Sequence, residues 1–74
     1  MARSVYTGII EREGDVYTAL CPELDVASQG GSVEEATANL REAVELFLGC
    51  APPEEITRRL HTDVFVTRFE ATHG

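Results

Sequence analysis

Apolar and polar positions change their spacing several times along this chain, and each change predicts a different element. Residues 5–10 read Val-Tyr-Thr-Gly-Ile-Ile, a run rich in β-branched and aromatic side chains that suits a strand. Residues 11–15 are polar and contain Gly14, which predicts a hairpin turn. Val16–Cys21 predicts a second strand, ended by Pro22, which has no amide hydrogen to give to a ladder. Residues 25–29 predict a short third strand, closed by Gly30 and Gly31.

The period then becomes helical. Ser32 followed by Glu35 is a capping box, in which the serine hydroxyl accepts the N3 amide and the glutamate reaches back to the cap. Glu34 and Glu35 place negative charge at the positive end of the macrodipole. Val33, Ala36, Leu40, Ala43, Val44, Phe47 and Leu48 fall on one stripe, with Glu34, Arg41, Glu42 and Glu45 opposite. Gly49 is placed to cap the helix in the left-handed conformation. Pro52-Pro53-Glu54-Glu55 predicts a short second helix, since proline is tolerated in a first turn. Ile56 and Leu60 give it a small apolar edge. In residues 62–71, Phe65, Thr67 and Phe69 alternate with Val64, Val66 and Arg68, predicting a last strand. The expected fold class is α+β: an antiparallel β-β-β-α-β sheet with one main amphipathic helix on one face. No repeat or linker divides residues 1–74, so a single domain is expected.

The two faces of that sheet sharpen the picture. A sheet with one helical layer should be apolar on one side and polar on the other. Here Val5 and Ile9 oppose Tyr6 and Ile10, and Phe65 and Phe69 oppose Val64 and Val66. The helix covers one face, and the other calls for a cover, either another protein or a second copy of the chain. Leu46 also points off the main stripe, where the short helix is a candidate to bury it.

Size and charge support a binding role. A chain of 74 residues buries about 60–65% of the surface that its unfolded form exposes, which favours self-association or docking. Thirteen acidic residues against six Lys and Arg give a net charge of −7, which repels nucleic acid and attracts basic proteins. The one basic pair, Arg58-Arg59, makes no nucleic-acid stripe. Cys21 and Cys50 make no disulfide framework. No apolar leader follows Met1 and no run approaches a membrane span, so a cytoplasmic protein with reduced thiols is expected.

The sequence offers no catalytic or cofactor chemistry. Neither cysteine lies beside a histidine in sequence, and Cys21, Cys50, His61 and His73 lack the paired spacing of a zinc site. The helix carboxylates face solvent rather than converging as in a two-metal nuclease. Gly30-Gly31 matches neither a phosphate loop nor a dinucleotide fingerprint. The expectation is a non-enzyme with no cofactor and no metal.

One stretch carries a family pattern: VYTALCPELDVASQGGSVEEATANLREAVELFL, from Val16 to Leu48. Tyr17, the Pro22-Glu23-Leu24 turn, Gln29-Gly30, Glu34-Glu35-Ala36 and Asn39-Leu40 with Glu42-Ala43 resemble the HicB-like antitoxin family. The resemblance covers about half the chain. It implies a partial ribonuclease H-like fold without nuclease residues. It also implies an antitoxin that binds and occludes a small basic HicA-type mRNA-cleaving toxin. Many such antitoxins add a C-terminal DNA-binding domain, for which this chain leaves no room. The alternative is a stand-alone homo-oligomeric ligand-binding or scaffolding domain. The structural positions are Pro22, Leu24, Gly30, Gly31 and the apolar stripe. The partner-binding candidates are Glu23 and Asp25 in the turn and Glu34, Glu42 and Glu45 on the helix, with the uncovered sheet face beside them. A homodimer or higher oligomer is expected.

Overall fold

The computed structural model describes residues 4–74, so that Met1, where the leader reading starts, lies outside the described residues. Its order is β1 (Ile9–Glu13), β2 (Val16–Cys21), β3 (Val26–Gly30), α1 (Val33–Cys50) and α2 (Pro53–Arg59). The strands form one antiparallel sheet in the order β1-β2-β3, with α1 laid across it, an α+β architecture.

Strand β1 starts four residues later than the sequence pattern predicts. Glu13 pairs with Val16 and leaves Gly14 and Asp15 as a two-residue turn, with Gly14 at φ 61°. A positive φ at the first turn residue fits the tight hairpins whose twist matches that of their strands, and glycine takes it without strain. The turn fixes the register, so Glu11, Arg12 and Glu13 become strand residues; an edge strand tolerates their charge because they remain in water.

Side-chain parity decides the layers. Tyr6, Ile10 and Tyr17 pack on the core of Ala19, Cys21, Leu24, Ala36, Leu40 and Val44. On the far face Ile9 stands opposite Leu20, with Val16 further along, and Leu20 and Val16 are exposed. At the β3–α1 junction, a Cβ on Gly30 would lie 2.6 Å from the Ala36 backbone nitrogen. That contact is too close for any side chain, so glycine here allows α1 to rest directly on the sheet.

Helix α1 begins as its sequence predicts. The Glu35 amide donates to Ser32 Oγ at 3.1 Å, and the Glu35 carboxylate accepts the Gly31 amide at 2.6 Å. Ala36, Leu40 and Val44 are its buried residues, whereas Val33 at the first turn is exposed. The helix does not stop at Gly49. It continues to Cys50, and the cap residue Ala51 is extended at φ −75°, ψ 144°. Pro52 is the physical reason, because the residue before a proline is pushed out of the helical region.

Helix α2 is joined to the rest by three contacts near its C-terminal end. The His61 amide donates to the Glu23 carbonyl at 2.7 Å, and Arg59 donates to the Asp25 carbonyl at 2.7 Å. The Arg59 guanidinium also lies 4.7 Å from the centre of the Phe47 ring, in cation–π range.

The expected last strand does not form. Residues 60–74 contain no helix or strand, and Phe65 and Phe69 are 89% and 84% exposed. Alternation is a property of the residues, but a strand also needs an edge beside it to bond with. Within one copy the chain leaves α2 with no strand alongside.

Candidate partner-binding surface

The β2–β3 turn is built around Glu23. Its carboxylate accepts the Thr7 amide at 2.9 and 3.1 Å and the Thr7 hydroxyl at 2.5 Å. Cys21 Sγ lies 3.5 Å from the same group. Partial burial pushes the carboxyl's pKa up, but the hydrogen bonds from Thr7 outweigh it and hold the group below its ordinary value. For Cys21, burial pushes the thiol up, against the hydrogen bond from the Leu24 backbone. Glu23 is therefore an internal strut that ties the segment before β1 to the turn after β2, with its acceptors turned to Thr7.

The other four candidates stand on the surface. Asp25 is exposed at φ 55°, a left-handed conformation that aspartate tolerates better than most residues. Its carbonyl holds Arg59. Glu34, Glu42 and Glu45 are all exposed on α1. At about 1.5 Å of rise per residue, Glu42 and Glu45 lie within one turn of each other and Glu34 is more than 10 Å away. The structure thus groups Glu42 and Glu45, separates Glu34 from them along α1, and places Asp25 on a different element.

Leu46 completes the group. It is 67% exposed, one residue beyond Glu45 and one turn beyond Glu42, and α2 does not bury it. This face of α1 therefore carries one exposed aliphatic side chain beside two carboxylates. The signal for it was its position off the buried stripe.

Other chemistry is sparse. Among the described residues, no three His, Cys, Asp or Glu side chains are placed to hold a metal ion. Cys21 and Cys50 are free thiols, the first buried and the second exposed. Among the described residues, no helix is long and apolar enough to cross a membrane.

A UPF0150 protein from Helicobacter pylori (strain J99) is 43% identical over 49 residues, a stretch that covers 65% of this chain and 68% of that protein. No protein-family model and no solved structure matches the chain.

Proposed function

We propose that this chain, which belongs to the UPF0150 family, is the antitoxin of a type II toxin–antitoxin pair, binding and occluding a small basic ribonuclease of the HicA type. The observation that carries the reading is the outer face of α1, where exposed Leu46 stands beside Glu42 and Glu45 on a chain of net charge −7. A ribonuclease must hold a polyanion and so presents a basic cleft. Carboxylates speed encounter with such a surface and orient it. Burying the one leucine contributes about 1.5–3 kcal/mol once contact is made.

The HicB-like pattern from Val16 to Leu48 supports the same reading, since it includes the helix that bears this face. Inhibition in this scheme is stoichiometric. The chain performs no chemistry, needs no cofactor and does not touch RNA. It works where the toxin works, in the cytoplasm.

The test is co-purification from the native host, followed by reconstitution with any small basic protein that stays bound. The expected result is a stoichiometric complex in which RNA cleavage stops at one equivalent of antitoxin. In Glu42→Lys/Glu45→Lys, Kd should rise at least tenfold and association should slow. Undiminished RNA cleavage at excess antitoxin would overturn the proposal, and full inhibition by the double variant would remove this face of α1 from it.

A further inference from the structure

We propose that a second copy of this chain supplies the missing strand: residues 64–69 of one copy add to the open β1 edge of another, with a phenylalanine seated between the segment before β1 and α1. This surface is distinct from the outer face of α1 and does not depend on the toxin reading.

The molecule carries both halves of such a contact. One half is the C-terminal segment, with alternating side chains, Phe65 and Phe69 exposed, and no strand partner in its own copy. The other is the edge of the sheet at β1, where alternate backbone N–H and C=O groups face away from β2. The opposite edge is better covered, because Asn39 donates to the Gln29 carbonyl at 2.8 Å and Arg59 to the Asp25 carbonyl.

Beside the β1 edge, on the helix side, an open cavity of about 130 Å³ lies between Tyr6, Thr7, Leu40, Arg41 and Val44. Its lining is mainly apolar. A strand laid along this edge would direct every second side chain toward that cavity, and Phe65 and Phe69 share one such face. Arg68 then falls on the opposite face, where Glu11 and Glu13 stand on β1 by the parity of their pairing with Thr18 and Val16. Residues 64–69 carry one charge, Arg68, and the β1 edge carries Glu11, Arg12 and Glu13. The contact therefore sets a basic segment on an edge of net negative charge and avoids the repulsion that two acidic chains would otherwise meet.

The areas agree with this pairing. A folded monomer of 8.1 kDa should expose about 4,500 Å², whereas this chain exposes 6179 Å². The excess exceeds the roughly 800 Å² per partner of a stable interface. The radius of gyration is 14.3 Å, against about 11 Å for a compact chain of this length. The exposed segment at residues 65–74 contributes to both.

The experiment is sedimentation velocity on the full chain and on Phe65→Ser/Phe69→Ser, with intermolecular NOEs measured in a mixture of labelled and unlabelled wild type. Both phenylalanines are exposed within one copy, so the double variant keeps its fold, which circular dichroism checks. The expected results are a wild-type dimer, a variant that dissociates at least tenfold more readily, and NOEs between copies from the phenylalanine rings to Leu40 and Val44. A wild type that is monomeric at all concentrations overturns the proposal. So does a dimer indifferent to the double substitution, or ring NOEs that arise only within one copy.

Discussion

The turn that follows β2 and the segment that follows α2 both carry large apolar side chains, yet Leu24 in the first is wholly buried while Phe65 and Phe69 in the second are among the most exposed residues described. Cys21 and Leu24 are wholly buried, and Glu23 between them is held by Thr7. Phe65 and Phe69, larger and more apolar, stand in water. Hydrophobicity alone does not separate the two regions. The turn has α1 and the segment before β1 packed around it, while residues 65–74 are all exposed. Burial is decided by which surfaces the chain can bring together, and only then by what the side chains prefer.

The sharpest way to break the comparison is Leu24→Ala. Deleting a fully buried leucine costs about 2–5 kcal/mol, much of the stability of a chain this short, so urea denaturation should show the fold lost or nearly lost. Ser32→Ala should cost about 0.5–2 kcal/mol by removing the cap of α1, read as a lower urea midpoint with an unchanged slope.

The Glu23 carboxyl, with its pKa below the ordinary value of 4.5, gives a pH signature whose sign is fixed. The unfolded chain takes up this proton first as pH falls. Glu23 therefore contributes its full stabilisation above the unfolded pKa and loses it as pH drops through the folded pKa. Urea midpoints measured from pH 6 down to pH 3 should fall further for wild type than for Glu23→Gln. Equal slopes would show that the Thr7 contacts do not bind the charged form preferentially. The smallest effect belongs to the other region. Phe65→Ser, measured at a concentration where the chain is monomeric, should change stability by less than about 0.5 kcal/mol, although it removes a larger apolar side chain than Leu24→Ala.

The sequence made legible those elements whose determinants are local. Ser32 and Glu35 announce the start of α1 because the capping box needs only residues three apart. Pro22 announces the end of β2 for a similar reason. The end of β1 lies three residues beyond its sequence expectation because the charged residues at 11–13 resemble a loop until Gly14 is recognised as sufficient for the whole turn. Gly49 predicts the end of α1, whereas the preference of Pro52 for an extended neighbour sets it at Ala51. Alternation alone predicts the last strand, and that signal reports an affinity for an edge without saying whose.

The candidate site divides in the same way. Glu42 and Glu45 were legible as exposed because helical spacing places them opposite the stripe. The internal role of Glu23 was not, since Thr7 lies sixteen residues away in sequence. Leu46 was visible as an apolar residue off the stripe, and only the path of α2, which leaves it uncovered, made it part of a surface.

A sheet with an open edge, on a chain that also carries an unpaired strand-like segment, has a consequence for symmetry. Under the proposed pairing, donor and acceptor belong to the same molecule, so they can be satisfied reciprocally in a two-fold ring or successively along an open filament. The closed form uses both donors and both acceptors, while the filament always leaves one of each at its ends. Net charge separates them further: a ring holds two chains of charge −7, whereas each copy added to a filament meets the accumulated field of those before it. The acidity that suits the chain to a basic partner would then also act as a brake on its polymerisation.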